Sequence, residues 1–214
     1  GILIGIGETR RERIESLLAL RSANTATGHI QELIIQNFRA KPETLMVNAP
    51  EPDLNELLWT IAQARLIFGS QMNIQAPPNL SPGVFHRIID AGINDWGGVS
   101  PVTPDFVNPE APWPHLSNLA QETAREGKVL VERLALYPKQ VQALDQWVDV
   151  ALQPMVLDTV DGEGFVRGED WAAGESPMPP AADLARVTQI PQLQPSATLS
   201  DILQRAVAGE TLAE

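Results

Sequence analysis

The sequence predicts an α/β fold built on a parallel sheet. Two observations support this: short apolar segments alternate with segments whose apolar residues recur at helical spacing, and the helical segments start at capping residues and stop at glycines. Short turns join the two kinds of segment, as in right-handed βαβ units. A βα barrel and an open doubly wound sheet share this pattern. In both folds the loops after the strands carry the functional residues.

Each element has its own local signal. Five segments have the apolar pattern of a buried strand: residues 1–6, 30–38, 72–76, 93–96 and 128–136. Four helical segments lie between them, with these predicted starting positions: Thr9, Asp53, Ser81 and Leu116. Thr9 and Glu12 match a capping box, and Ser81 precedes a first-turn proline. Gly69 and Gly92 are well placed to end two of these helices.

The character of the chain changes near its end. Residues 158–195 are rich in acidic residues and proline, which opposes a packed core and predicts an exposed connector. Residues 196–214 contain one more helical segment, capped by Thr198, whose apolar side has no partner in the chain. We therefore expect three parts: an α/β domain over residues 1–157, the connector, and the start of another module.

Composition argues against several classes of protein. The formal net charge of −12 opposes a nucleic-acid-binding or anionic-membrane surface. No apolar segment approaches the ~20 residues needed to span a bilayer. The chain contains no cysteine, which excludes disulfides, thiolate catalysis and thiolate metal ligands within these residues. The histidines are scattered without ligand spacing, so the sequence predicts no metal site here.

The first eight residues, GILIGIGE, carry the most information about function. Glycines at a strand end let a ligand or a neighbouring backbone approach closely, and the alternate apolar side chains suit the faces of a flat ring. Glu8 would accept hydrogen bonds from ligand donors at this edge. A structural alternative stays open, in which the segment is a buried strand and tight turn with Glu8 at a favourable helix N-terminus. The spacing does not match the dinucleotide-binding fingerprint.

Two further post-strand loops carry candidate substrate-binding residues. After the third predicted strand, the amides of Gln75 and Asn79 suit the polar edge of a pyrimidine-like ring; the alternative is that Asn79 only shapes the turn. After the fourth, a pair of glycines exposes N–H groups that suit an anion, and Ser100 and Thr103 would add hydroxyl contacts. The alternative there is an ordinary Gly/Pro turn. The sequence singles out no catalytic residue.

Several strings resemble a known family. Residues 1–9, GILIGIGET, resemble the G-x-I-x-G-x-x-E element of radical-SAM barrels, with Leu3 at the isoleucine position. Longer strings resemble the FO synthase family, which forms the deazaflavin 7,8-didemethyl-8-hydroxy-5-deazariboflavin: ELIIQNFR (residues 32–39), NIQAPPNL (73–80) and GINDWGGVSPVT (92–103). The resemblance covers about residues 1–175. Residues 195–214 are similar to the opening of the second radical-SAM module in the fused, two-module members.

The resemblance implies that residues 1–157 are the C-terminal part of a radical-SAM (βα) TIM-type barrel, followed by a linker and one helix of a second module. It implies S-adenosylmethionine and a 4Fe–4S cluster as cofactors. By motif, Gly1, Gly5 and Glu8 would bind the S-adenosylmethionine. The family's C-x-x-x-C-x-x-C loop is absent, so the cluster ligands are expected outside this chain. We expect an internal fragment that is inactive alone.

The resemblance also implies substrates and partners. In the fused family the second module joins a tyrosine-derived intermediate to 5-amino-6-ribitylaminouracil, and the module represented here closes the product to the deazaflavin with release of ammonia. The expected partners are these small molecules and the second module in the same chain, with no nucleic acid and no membrane. The expected location is the cytoplasm.

Two alternatives remain at this stage: another βα-barrel enzyme, of the aldolase or isomerase type, and a non-catalytic binding barrel. A Schiff-base aldolase needs a strand lysine at the active edge. Lys128 is the only lysine near a predicted strand, and it lies at the N-terminal end of that strand.

Overall fold

A computed structural model gives the fold, and it describes residues 1–100 and 102–168 together with Ser200 and Gln204. The chain separates into two compact units, Gly1–Arg167 and Gly168–Glu214. In the second unit, Ser200 and Gln204 are helical. Most of the predicted connector 158–195 and of the predicted second module 196–214 lies outside the described residues, so those domain boundaries stay predictions.

Strands and helices alternate through the first part of the chain. The strands are β1 (Ile2–Ile4), β2 (Glu32–Asn37) and β3 (Asn73–Gln75). The α-helices over residues 1–168 are α1 (Arg10–Thr27), α2 (Leu54–Phe68), α3 (Phe85–Ala91), α4 (Leu116–Arg125), α5 (Pro138–Val141), α6 (Leu144–Trp147) and α7 (Gln153–Thr159). A short 3₁₀ helix, Pro78–Leu80, follows β3.

The sheet is parallel and its strands are adjacent in chain order, β1-β2-β3. Ile2 pairs with Ile35, and Glu32 pairs with Asn73. Helices α1 and α2 connect the strands, which is the crossover that parallel pairing requires. The predicted α/β class with a parallel sheet is therefore confirmed.

The helix starts follow the capping residues at two positions. The Thr9 hydroxyl accepts from the Glu12 N–H at 3.3 Å, while a Glu12 carboxylate oxygen accepts from the Thr9 N–H at 2.6 Å, which completes the predicted capping box. Asp53 caps α2 by accepting from the Glu56 N–H at 3.0 Å. Gly69 and Gly92, with φ of 74° and 119°, end α2 and α3 as predicted.

The core lies between the sheet and its connecting helices. Apolar strand residues that share one face pack against apolar residues of α1 and α2. The fully buried members are Ile4, Leu33, Ile35 and Ile74 of the strands, Leu17 of α1 and Ile61 of α2. Because side chains alternate along a strand, the intervening residues point to the opposite face. We call this opposite face, which carries Leu3, Glu32, Ile34, Gln36 and Gln75, the second face of the sheet.

The fourth predicted strand, residues 93–96, is reduced to a single parallel bridge between Gln75 and Asp95. The Asn94 N–H donates to the Ile74 carbonyl at 3.1 Å, but the Ile74 N–H donates to the Asn94 side-chain oxygen at 2.8 Å. The asparagine side chain therefore occupies the place of a ladder carbonyl. The segment lies beside β3, but it does not form the predicted strand.

The fifth predicted strand, residues 128–136, is wrong. The described chain has no strand there, and the segment is tied down through side chains: Arg133 pairs with Asp95, and the Tyr137 hydroxyl donates to Glu32 at 2.6 Å. Val129 and Val131 are 82% and 51% exposed. The alternating apolar residues that predicted a strand find no cover, so the segment gains little from pairing.

The predicted cap at Ser81 is also wrong. Pro78–Leu80 form the 3₁₀ helix, and the Ser81 N–H donates to the Pro78 carbonyl at 3.3 Å, which makes Ser81 the end of that turn. Gly83, with φ of 77°, redirects the chain, and α3 starts only at Phe85. The adjacent prolines favoured the earlier turn over an extended α3.

Two neighbouring leucines on α1 test the position of the core. Leu17 is fully buried and Leu18 is 39% exposed. We expect Leu17→Ala to lower the free energy of unfolding by about 2–5 kcal/mol, because it leaves a cavity under the sheet. The matched Leu18→Ala should cost less than about 1 kcal/mol. Urea denaturation measures both, and equal losses would contradict the assigned face of α1.

Candidate functional site

The turn that follows β1 is held in shape by its own glutamate. Glu8 Oε1 accepts from the Gly5 N–H at 2.7 Å, and Oε2 accepts from the Ile6 N–H at 2.8 Å. Gly5 and Gly7 have φ of 89° and 114°, a region that favours glycine. The sequence left Glu8 either as an acceptor for a ligand or as a charge at the helix N-terminus; the structure places its carboxylate on the backbone of the turn. Carboxylate oxygens each accept two bonds, so Oε2 retains acceptor capacity.

A buried arginine completes the coordination of Glu8. Arg13 Nε donates to Glu8 Oε1 at 2.6 Å, and Arg13 Nη1 donates to Glu56 Oε2 at 2.6 Å. Burial raises the pKa of Glu8, but hydrogen bonds from the Gly5 N–H, Arg13 and the Ile6 N–H outweigh it and hold that pKa below its usual range. Glu8 is therefore an ionised anchor of the turn at neutral pH.

Gly1 and Gly5 are confined by protein atoms. A Cβ on Gly1 would lie 2.4 Å from the Ile34 carbonyl oxygen, and one on Gly5 would lie 2.5 Å from the Pro52 ring. The close approach expected at these glycines is thus made by neighbouring protein. Beside them, Leu3 and Ile6 are 43% and 50% exposed and offer an apolar surface at the strand end.

Gln75 is buried on the second face of the sheet and fits tightly against Gly97. A Cβ on Gly97 would lie 1.9 Å from Gln75 Nε2. Gln75 Nε2 donates to Asp95 at 3.4 Å, while Gln75 Oε1 is buried without a hydrogen-bond partner among the described residues. An unpartnered buried oxygen is costly, so it is a ready acceptor for an added donor.

Asp95 anchors a network on the same face. Arg133 donates to both Asp95 oxygens, at 2.6 and 3.0 Å, and the Gly97 N–H donates to Asp95 at 2.6 Å. The Arg133 guanidinium also lies 3.9 Å from the Tyr137 ring centroid. Burial and the hydrogen bond to Glu32 raise the pKa of Tyr137, so its hydroxyl stays protonated and donates.

Asn79 joins two loops at the carboxyl edge of the sheet. Its Nδ2 donates to Asp105 at 2.9 Å and to the Ala111 carbonyl at 3.0 Å, and its buried Oδ1 has no partner among the described residues. Burial raises the pKa of Asp105, but hydrogen bonds from Asn108 and Asn79 hold it below its usual range. Asn79 therefore shapes the loop, and its Oδ1 has no partner among the described residues, while binding of a ring by this amide stays a prediction.

Ser100 and Thr103 bond to each other. The Thr103 hydroxyl donates to the Ser100 oxygen at 2.8 Å, and the Thr103 N–H donates to the same oxygen at 3.0 Å. Thr103 is exposed. This is the geometry of an ordinary hydroxyl turn, which was the structural alternative for this loop.

The structure groups the candidates only in part. Gln75 and Asn79 follow the same strand, but their amides bond to different acidic residues, Asp95 and Asp105. Glu8 belongs to a separate cluster at the end of β1 with Arg13 and Glu56. Asn79 also lines a cleft of about 560 Å³, with these neighbours: Phe85, Trp113, His115, Asn118 and Glu122.

Sequence reasoning missed the residues that organise these clusters. Arg13, Glu56 and Arg133 lie in helices or in a mispredicted segment, where a charged residue normally indicates a solvated surface. Asp95 was detectable, because it lies at the end of a predicted strand next to paired glycines. The described residues include no group of three metal-ligating side chains and no helix that is long and apolar enough to cross a membrane.

The amino-acid sequence of the chain is similar to those of several named enzymes. It is 50% identical over 182 residues to the FO synthase of Streptomyces avermitilis, and 50% identical over 162 residues to that of Mycobacterium tuberculosis H37Rv. It is 47% identical over 167 residues to the 7,8-didemethyl-8-hydroxy-5-deazariboflavin synthase of Methanopyrus kandleri. Over most of its length, the chain is similar to part of these enzymes.

The matches cover most of this chain but less than half of each relative's length. They span 82%, 75% and 78% of this chain, and 21%, 19% and 49% of the three relatives. No family model and no solved structure matches the chain.

The pH response of the turn after β1 follows from Glu8. Its lowered pKa means that the bonds to Gly5 and Ile6 are complete at neutral pH and are lost only as the pH falls through that lowered value. We expect the amide proton shifts of Gly5 and Ile6 to titrate with a midpoint below the usual glutamate value of about 4.3. Glu8→Gln should abolish this titration. A midpoint at or above the usual value would refute the anchor.

A pair of adjacent glycines tests the packing of Gln75. Gly97→Ala puts a Cβ against the buried Gln75 amide at a φ of 81° and should lower the free energy of unfolding by more than about 1 kcal/mol. The control Gly98→Ala meets nothing within 4 Å and should stay within about 0.5 kcal/mol. Thermal unfolding of both variants gives the comparison, and a neutral Gly97→Ala would show that Gln75 lies elsewhere.

Proposed function

We propose that this chain is part of an FO synthase and takes part in deazaflavin coenzyme biosynthesis. The observation that carries the proposal is the identity of about half of the aligned residues with relatives that bear that name. The reaction would form 7,8-didemethyl-8-hydroxy-5-deazariboflavin from 5-amino-6-ribitylaminouracil and tyrosine. A non-catalytic binding barrel has no comparable support.

The fold supports a place in a radical-SAM barrel. The three strands are parallel, and their connecting helices cover one face. In a closed barrel the second face, with Gln36 and Gln75, would line the interior, and the turns after the strands would surround the active site. The chain would supply the C-terminal part of that barrel, with a linker and the start of the second radical-SAM module after it.

The turn after β1 fits S-adenosylmethionine in one respect. Leu3 and Ile6 present apolar surface to a flat ring, and the position of Gly7 is open, with nothing within 4 Å of an added Cβ. Bound beside a 4Fe–4S cluster, S-adenosylmethionine would supply a 5′-deoxyadenosyl radical. The chain has no cysteine, so its own residues do not fit the cluster, and we assign the cluster ligands to sequence outside it.

Two buried amides support pyrimidine binding. Gln75 Oε1 and Asn79 Oδ1 lie on or near the second face of the sheet and have no partner among the described residues, and the N–H groups of a uracil ring are matching donors. Ser100 and Thr103 have less support, because their hydroxyls already bond to each other. The remaining roles stay predictions: the tyrosine-derived intermediate as partner, and the cytoplasm as location.

The aldolase alternative loses its candidate nucleophile. Residues 128–136 do not form a strand, so Lys128 is not a barrel-strand lysine in the described fold. An aldolase of the Schiff-base type needs such a lysine at the carboxyl edge.

Reconstitution tests the proposed function directly. A full-length parent that contains this chain, loaded with iron and sulfide, should convert 5-amino-6-ribitylaminouracil and tyrosine into the fluorescent deazaflavin and release 5′-deoxyadenosine. This chain alone should be silent, since it holds no cluster ligand. A fully loaded parent that forms no deazaflavin would overturn the proposal, and so would activity of the isolated chain.

A further inference from the structure

We infer that Arg13 is a positioning residue that sets the shape of the turn after β1, with Glu56 as its second anchor. This inference rests on the proposed function, in which that turn binds S-adenosylmethionine. It assigns Glu8 an indirect role, since the carboxylate would fix the turn rather than touch the ligand.

Arg13 is buried, unlike a neighbouring arginine on α1. Its side chain is 6% exposed, whereas the neighbouring Arg11, paired with Glu15 on the same helix, is 87% exposed. A buried guanidinium is stable only when its donors are paired. Arg13 meets this need with Glu8 at one end of its fork and Glu56 at the other, both at 2.6 Å.

Arg13 is connected to the turn through the Glu8 carboxylate. Glu8 Oε1 is shared between Arg13 Nε and the Gly5 N–H, so the position of the guanidinium fixes the position of the carboxylate. The same carboxylate holds the Ile6 N–H. Without Arg13 the Glu8 carboxylate would lose its only ion-pair partner among the described residues, and the Gly5 and Ile6 N–H groups would be left to hold it.

Arg13 is connected to the start of α2 through Glu56. Glu56 lies in the first turn of α2, where the Asp53 cap fixes its N–H, and Pro52 just before it lies against Gly5. Hydrogen bonds from Arg10, opposed by burial and reinforced by Arg13, hold the pKa of Glu56 below its usual range. The start of α2 therefore supports the turn from two sides, through the Pro52 ring and through the charge of Glu56.

Arg10 supplies a matched control. It bonds to Glu56 at 2.7 Å and lies 4.7 Å from the Trp59 ring centroid, but its side chain is 54% exposed and has no bond to Glu8. Arg10→Met therefore removes one cation from Glu56 and leaves the Glu8 contacts intact. Arg13→Lys keeps the charge of Arg13 but loses the planar fork that reaches both carboxylates.

The experiment uses the cluster-loaded full-length parent and two readouts. Equilibrium dialysis gives the Kd for S-adenosylmethionine, and hydrogen exchange without that ligand gives the opening of the Gly5 and Ile6 amides. We expect Arg13→Met to raise the Kd about tenfold, because the turn that binds the ligand loses a charge-assisted contact that holds its shape. Exchange at both amides should become faster, with iron content unchanged. Arg13→Lys should give an intermediate Kd, and Arg10→Met should match the wild type.

The outcomes separate this inference from the proposed function. A wild-type parent that does not bind S-adenosylmethionine overturns the proposed function. A wild type that binds it, with an unchanged Kd in Arg13→Met or an equal loss in Arg10→Met, overturns the inference alone. If Arg13→Met does not fold, Arg13→Lys decides: a wild-type Kd refutes the positioning role, and a raised Kd with faster exchange at Gly5 and Ile6 supports it.

Discussion

Parallel pairing of the strands is the constraint on which the rest of the structure depends. It brings the carboxyl ends of β1, β2 and β3 to one edge, and it requires a helix between each pair of strands. The alternation of side chains then commits one face to the apolar surfaces of α1 and α2. The polar residues of the second face and of the carboxyl edge therefore bond to one another.

They do so through ion pairs and amide contacts that join successive loops. Arg39 pairs with Glu51 across the loop between β2 and α2, and its guanidinium also donates to the Leu80 carbonyl. Lys41 donates to Asn108 at 2.7 Å, in the loop that Asp105 and Asn79 hold. Exposed contacts of this kind contribute little, whereas breaking a buried one leaves an uncompensated charge, so the buried members constrain the shape of the edge most.

Most predictions that depend on local signals are confirmed, although the cap predicted at Ser81 is not. The capping box at Thr9, the cap at Asp53 and the glycine stops depend on residues a few positions apart, and all four are present. The strand at residues 128–136 failed because its pattern says nothing about whether a neighbour will cover Val129 and Val131. Strand formation depends on that cover more than on intrinsic preference.

The candidate site was predictable to a similar extent. Gln75 and Asn79 were singled out because post-strand loops lie at the functional edge, and each carries an oxygen without a partner among the described residues, while their role in binding stays a prediction. The partner of Glu8 was not found, because nothing in the sequence of α1 distinguishes Arg13 from its exposed neighbours Arg10 and Arg11. That distinction comes from the packing of α1 against α2, which buries the Arg13 side chain between Glu8 and Glu56.

The contact between Gln75 and Gly97 limits how this sequence is able to diverge. Because the amide of Gln75 occupies the space of a Cβ at position 97, substitutions at the two positions are coupled. A lineage that shortens the side chain at position 75 removes the steric bar at 97, although the backbone there still favours glycine. A lineage that keeps the glutamine has no such freedom. Across homologues, a side chain at position 97 should therefore appear only after the residue at position 75 has become smaller.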